Sequence, residues 1–475
     1  ALILSLVFGQ MKPLHASDEW TTIKCQQTML KNSLLIAEEK HQLNEALATA
    51  LSAQAIFDTH VYVMPRYENK SHRNLGMRYE VSEFKSKISH LFYFGAELAP
   101  YVILREINAE EDRYQLREQG VSFQVPLLKM GMDKLKSDAA RLAVRSAYYT
   151  YLSRIEKAIY ETHLLFLDLQ YESEKLNQMS RQHSRYKQLV DQMASLVSKR
   201  KVTKHDYKKA RAYKFEQNIR NTEQKKRVKV AERALLNNME TVLSESEGLT
   251  LVKNHWLLSL ERNNNPMIPV ILSQKSEYIA LDLAKEVLEK HKKAIQLSQQ
   301  PDIQLMALLG YQFQSKNDGD WQSDMNTSIS FEIDVNTDRK YEKSQKVSVD
   351  GYQEFLDKKL KSLTVQFENN RDYFNQHLEL TKRQQKELKS WMDHLDAQLK
   401  NQRREMAKGN IKWNEVKETH EKLQKAYLKK VSLEYEFLKT VTQLRHLAGD
   451  YFTRIPQRIK EMPQATLLNT HTIDM

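Results

Sequence analysis

The sequence predicts a mainly α chain built twice on one plan, in which strands of membrane β-barrel character lead into very long coiled-coil helices. Three observations predict it. Glycine and proline number only 11 and 9 among 475 residues, against ordinary usage of roughly 7% and 5%, so turns are few and elements are long. Residues 127–200 carry an apolar stripe at alternate steps of four and three: Val144, Tyr148, Tyr151, Ile155, Ala158, Leu165, Leu169, Leu176, Met179, Tyr186, Val190, Met193 and Val197. Thr162, Glu172 and His183 alone interrupt it. A 3.5-residue period held for about seven heptads supercoils helices against neighbours. The third observation is an internal repeat.

Residues 1–9 are apolar and are followed by Leu14-His15-Ala16 and the polar Ser17-Asp18-Glu19. This is the pattern of a signal-peptide h-region with a small-residue cleavage site, placing a signal peptide at 1–16 and the mature chain outside the cytoplasm. A buried N-terminal strand is the alternative. The run is shorter than the ~20 residues of a helical membrane span, and no other apolar run reaches that length. The single cysteine, Cys25, excludes an intramolecular disulfide and a cysteine-rich zinc site. It does not follow a lipoprotein-type triplet.

The first repeat occupies 17–247. A helix is expected over 20–55, with Leu30, Leu34, Leu35, Leu43, Leu47 and Leu51 on its apolar face. Strands are expected at 60–67, 75–84 and 91–104, with the polar stretches 68–74 and 105–119 read as turns. Val121-Ser122-Phe123-Gln124-Val125-Pro126-Leu127 alternates at period two. The rod over 127–200 then ends in the turn Val202-Thr203-Lys204-His205-Asp206, with Thr203 as N-cap of a helix returning to about 242. A loop-rich segment over 248–273 precedes the second repeat, 274–449, and a tail, 450–475.

In the second repeat, Ile329-Ser330-Phe331-Glu332-Ile333 answers Val121-Ser122-Phe123-Gln124-Val125, and Ile411-Lys412-Trp413-Asn414-Glu415 answers the first turn. Strand to turn is 81 residues from Val121 to Val202 and 82 from Ile329 to Ile411. A twin rod falls at 338–408. The first repeat is longer by about 35 residues among its strands, between 69 and 119.

Ile329, Phe331, Ile333 and Val335 point one way and Ser328, Ser330, Glu332 and Asp334 the other. That suits a barrel with lipid outside and water inside, or else a half-buried strand of a soluble sheet. Two strands per half cannot close a barrel, and lipid forbids open edges, so a barrel requires several copies.

The formal net charge of +12 is densest at Lys199, Arg200, Lys201, Lys204, Lys208, Lys209 and Arg211. With Tyr207 the only aromatic among them, a solvated helix face is preferred to nucleic-acid binding. No glycine-rich phosphate loop is present, and His420-Glu421 lacks a metalloprotease's second histidine. Neither an enzyme nor a cofactor or metal is expected.

The duplicated plan resembles the TolC-like outer membrane efflux proteins. The resemblance rests on Gly409-Asn410-Ile411-Lys412-Trp413-Asn414-Glu415-Val416 after a long heptad helix, Pro301-Asp302-Ile303 before a strand, and the return helix ending over 444–449. It implies a homotrimer in the outer membrane: a twelve-stranded barrel, four strands per protomer, continued into the periplasm by a coiled-coil tunnel. An equatorial belt would draw on about 243–273 and the tail. The chain would be the passive duct of a tripartite efflux pump or type I secretion system, partnered by a periplasmic adaptor and an inner-membrane transporter. A basic coiled-coil scaffold on anionic membranes or acidic polymers is the alternative.

By the same resemblance, Asp206, Glu415 and Glu418 are the acidic residues lining the periplasmic aperture, where such a ring selects cations. Glu415 and Glu418 are three apart and share a helix face. The alternative is that they only complement a helix N-terminus. Val202, Thr203, Gly409, Asn410 and Ile411 are the turn residues that would meet the adaptor. Arg200 stands where the family usually has glycine, and Asp334 where a proline is common. The insert either enlarges the barrel or adds a hairpin projecting outside it, the latter being preferred.

Overall fold

The computed structural model describes residues 20–72, 77–109, 112–241, 271–317, 319–334, 340–451 and 455. The expected signal peptide, nearly all of the 248–273 segment and most of the 450–475 tail lie outside the described residues.

The chain opens with α1 (Thr22–Asn32) and α2 (Leu34–Ala55), two helices where one was expected. The break is at Ser33, whose backbone is extended. The Leu34 backbone amide there donates to the carboxylate of Glu240 (3.1 Å), satisfying a group that a continuous helix would have bonded internally, and the Asn32 side-chain amide donates to Thr241 Oγ1 (3.1 Å). Cys25 is fully buried in α1, and burial pushes its thiol up to about 12, as for an inert core residue.

Six strands follow in two sets: β1 (His60–His72), β2 (Met77–Leu91), β3 (Glu97–Ala109) and β4 (Asp112–Pro126), then β5 (Asp302–Lys316) and β6 (Gln322–Asp334). They form one antiparallel meander in chain order. This corrects the expectation of four strands and a projecting hairpin. β2 and β3, the additional pair, are hydrogen-bonded into the sheet on both sides. It also corrects the strand limits, because residues 68–72, 105–109 and 112–119 of the stretches read as polar turns are strand. Their charges are balanced across the ladder: Arg105 Nε donates to Glu83 (2.6 Å) and Arg113 pairs with Glu106 (2.6 Å), while Lys85 meets the Glu83 carboxylate from the same strand (3.0 Å). Cross-strand pairs of this kind stabilise a sheet without an apolar signal in the sequence.

The rods are α3 (Met132–Ser198, 67 residues) and α6 (Lys340–Lys408, 69 residues), each about 100 Å at ~1.5 Å per residue. Their return helices, α4 (Lys204–Asn238) and α7 (Trp413–Leu447), are 35 residues each. A shorter helix, α5 (Ser276–Ser298), precedes β5. Most of the α3 stripe is buried, including Tyr151, Ile155, Leu169, Met179, Tyr186, Val190 and Met193. Two of its interruptions hold helices together: Thr162 Oγ1 donates to Asn238 Oδ1 (2.7 Å), and Gln224 Nε2 to the Glu172 carbonyl (3.0 Å). The third, His183, leaves Nδ1 buried and unbonded.

Contacts group the chain into two units, each mixing both repeats. The first combines 1–39, 151–276 and 363–462 and contains the rod ends, both return helices and both turns between them. The second combines 40–150, 277–362 and 463–475 and contains the sheet, α5 and the strand-proximal parts of the rods.

Candidate functional site

The sheet has two unlike faces, which follow from the register. At one level Val61 pairs with Ile88, and Pro100, Val121, Leu309 and Thr327 pair in turn; two residues along the paired residues are Val63, Ser86, Val102, Gln119, Tyr311 and Met325. Toward the helix-proximal end of β6 the same face continues through Ile329, Phe331 and Ile333, which are 77%, 64% and 62% exposed. The opposite face is more polar but mixed: Tyr62, Lys87, Tyr101, Gly120, Gly310 and Asn326 at one level and Met64, Lys85, Ile103, Glu118, Gln312 and Asp324 at another. An exposed apolar surface of this breadth marks contact with lipid or protein. β1 and β6 have no further strand beside them among the described residues.

The two helical turns lie side by side: a Cβ added to Gly409 would come 3.7 Å from the Lys201 carbonyl oxygen. They are built alike. In the first, the amides of Arg200 and Lys201 donate to Val197 O and Leu196 O (both 3.0 Å); in the second, Gly409 and Asn410 donate to Met406 O and Glu405 O (both 3.0 Å). Each is a Schellman closure, which needs a left-handed residue at its centre. Gly409 supplies it freely at φ 93°, whereas Arg200 adopts φ 57° against a penalty of about 1 kcal/mol.

Beneath the turns is an aromatic core. Trp413, 1% exposed, packs with Tyr186, Met193, Tyr213, Met406 and Val416. Tyr186 donates its hydroxyl to Ala210 O (3.0 Å) and meets Trp413, Tyr213 and His420 edge to face. His420 is buried with neither ring nitrogen bonded. Burial, reinforced by Arg403 and Arg185, lowers its pKa to about 4, so the ring is neutral.

The expected site residues divide against this frame. Val202 and Ile411 pack down onto the aromatic core. Thr203 caps α4, accepting from the Asp206 amide (3.0 Å) and donating to the Asp206 carboxylate (2.8 Å). Gly409 and Asn410 are exposed at the apex, with Asn410 Nδ2 donating to Glu405 (2.7 Å). Glu418 pairs with Lys422 (2.7 Å), which together hold its carboxyl below the usual range. Glu415 is exposed, with no ion pair among the described residues. Tyr186 was legible in the heptad stripe and Trp413 in the second turn motif; that they meet, with Tyr213 and His420, had no sequence signal.

No family model matches the chain, and no curated protein matches it. Solved structures do. The outer membrane channel CmeC of Campylobacter jejuni aligns at TM-score 0.67 and 11% identity over 96% of this chain and 93% of that one. CusC, whose crystal structures concern folding and transmembrane channel formation, aligns at 0.66 and 12% over 93% and 97%. The outer membrane protein VceC of Vibrio cholerae aligns at 0.62 and 12% over 90% and 96%. The resemblance drawn from the sequence holds at the level of the fold: the chain has the fold of these outer membrane proteins.

Proposed function

We propose that the chain is the outer membrane duct of an export system, a homotrimer that conducts substrates passively. The observation that carries this reading is the six-stranded meander with one exposed, mainly apolar face, a more polar opposite face and, among the described residues, open edges at β1 and β6. With an even number of antiparallel strands, β6 of one copy meets β1 of the next in the antiparallel sense. Three copies would close a ring of eighteen strands from six each, removing every edge that lipid forbids. Apolar residues then face lipid and the polar face lines water. A basic coiled-coil scaffold would leave the apolar face of the sheet unused.

In this assembly the rods and return helices of three protomers form a coiled-coil tunnel into the periplasm, belted by the 248–273 segment and the tail. The two turns form its mouth, where Val202, Thr203, Gly409, Asn410 and Ile411 meet a periplasmic adaptor that couples the duct to an inner-membrane transporter. Asp206, Glu415 and Glu418 sit at the aperture. Of these, Glu415 is the carboxylate without a local partner among the described residues.

The test is solubilisation in detergent followed by gel analysis and planar-bilayer recording. The expected protein is trimeric, heat-modifiable and conducting, and resists extraction from membranes by salt and alkali. A salt-extractable monomer without conductance would sink the reading.

A further inference from the structure

We propose that the mouth is electropositive and anion-selective, so that the cargo admitted is anionic. This rests on the duct reading and deepens it. Residues 199–214 hold eight Lys or Arg and one Asp, and residues 400–422 hold seven and four, so 39 residues carry +10 of the chain's formal +12. The two segments are the two adjoining turns and the helix ends that flank them.

Compensation is unequal between them. Around the second turn three of the four acids are matched in place, Glu405 with Lys408 (2.6 Å), Glu418 with Lys422 (2.7 Å) and Glu421 with Lys417 (3.6 Å), and Glu415 is not. Around the first, Lys199, Arg200, Lys201, Lys204 and Lys208 are all exposed and in no ion pair among the described residues. Asp206, the acid within that run, has its carboxylate turned onto Thr203.

Helix stability does not account for the pattern. Cations at the end of α3 complement its dipole, but Lys204 and Lys208 lie in the first turns of α4, where the dipole disfavours them. Nor does backbone geometry, since the twin turn uses Gly409 at the left-handed position that Arg200 occupies. What the arrangement does serve is a positive field. The turns are in contact, well inside a Debye length of about 8–10 Å, so their charges act together. Three copies around one aperture would concentrate anions and exclude cations. The cation preference expected from an acidic ring is thereby reversed, because Asp206 and Glu418 are engaged locally and Glu415 alone of the three expected acids faces the five cations of the first turn without an ion pair among the described residues.

The purified trimer is recorded in planar bilayers across a potassium chloride gradient. The reversal potential should show chloride preferred to potassium. Lys199→Gln, Arg200→Gln, Lys201→Gln and Lys204→Gln together should lower that preference by about two-fold or more. Lys343→Gln with Lys346→Gln, at the strand-proximal end of α6, should leave it unchanged. Heat-modifiability on gels verifies that each variant still assembles. A potassium-selective channel, or chloride selectivity indifferent to the four substitutions, overturns the inference while leaving the duct intact. A potassium-selective channel whose turns bind poly-L-glutamate, with binding lost in the fourfold variant, would assign the patch to an acidic protein partner instead. An assembled trimer that does not conduct overturns the duct reading itself.

Discussion

Gly120 and Gly310 face each other directly across β4 and β5, and Tyr101 is paired beside them on β3. A Cβ on Gly120 would come 2.6 Å from the Leu309 carbonyl oxygen, and one on Gly310 would come 2.9 Å from that of Gln119. Both obstacles are backbone, and the Tyr101 hydroxyl, donated to Glu118 (2.8 Å), closes over the pair. The two strands therefore approach only because neither residue has a side chain. Gly120→Val should destabilise the sheet by about 1–3 kcal/mol and lower the temperature at which the assembled form dissociates on gels. An unchanged transition would show that β4 and β5 adjust without loss.

Gly351 offers the opposite case. It lies within α6 with nothing inside 4 Å of an added Cβ. Gly351→Ala should stabilise the helix by about 0.5–1 kcal/mol, chiefly by restricting the unfolded chain. Denaturant midpoints of the pair measure it, and a lower midpoint for the alanine variant contradicts it.

Arg200→Gly should raise stability by about 1 kcal/mol, since the left-handed backbone at φ 57° suits glycine. Gly409→Ala should lower it by a similar amount at φ 93°. Melting temperatures that move in the same direction for both variants would mean that side-chain contacts, not backbone conformation, decide these turns.

Trp413→Ala removes the largest fully buried side chain of the chain's described core, and should cost about 3–5 kcal/mol through the cavity it leaves. The turns rest on that core, so amide exchange should accelerate first around Val202 and Ile411. Uniform acceleration along α3 and α7 would show that the core does not support the turns in particular.

His420 and His446 are both held to about pKa 4 by burial. In the unfolded chain each would titrate near 6.5, so between those values the unfolded state binds more protons. Their contribution to stability is complete above pH 6.5 and is lost as the pH falls toward 4, on the order of 3 kcal/mol per group. His420→Leu should flatten the fall of melting temperature over that window; an unaltered slope would place the acid sensitivity elsewhere.

Much of this was legible before any coordinates. The heptad stripe located α3 to within about five residues at its start, and the register of one repeat on the other located α6 and both turns. Thr203 was readable as a cap because it stands in the turn just before the returning helix, and its hydroxyl accepts from the Asp206 amide. The strands were recognised but cut short. Arg105, Glu106 and Arg113 look like turn residues in sequence, and become strand residues only when Glu83 stands by Arg105 and Glu106 by Arg113.

Periodicity and repetition belong to the order of residues, so the sequence alone determined that this is a duplicated chain of long helices joined to strands. Which of its charges remain uncompensated depends on pairs formed through space. Glu418 and Lys422 cancel, Asp206 turns onto Thr203, and Lys199 to Lys204 are left without an ion pair among the described residues. Tertiary structure likewise decided that the additional strands extend the sheet, because a backbone hydrogen bond goes to whichever neighbour the fold brings within reach, regardless of the side chains that the sequence displays.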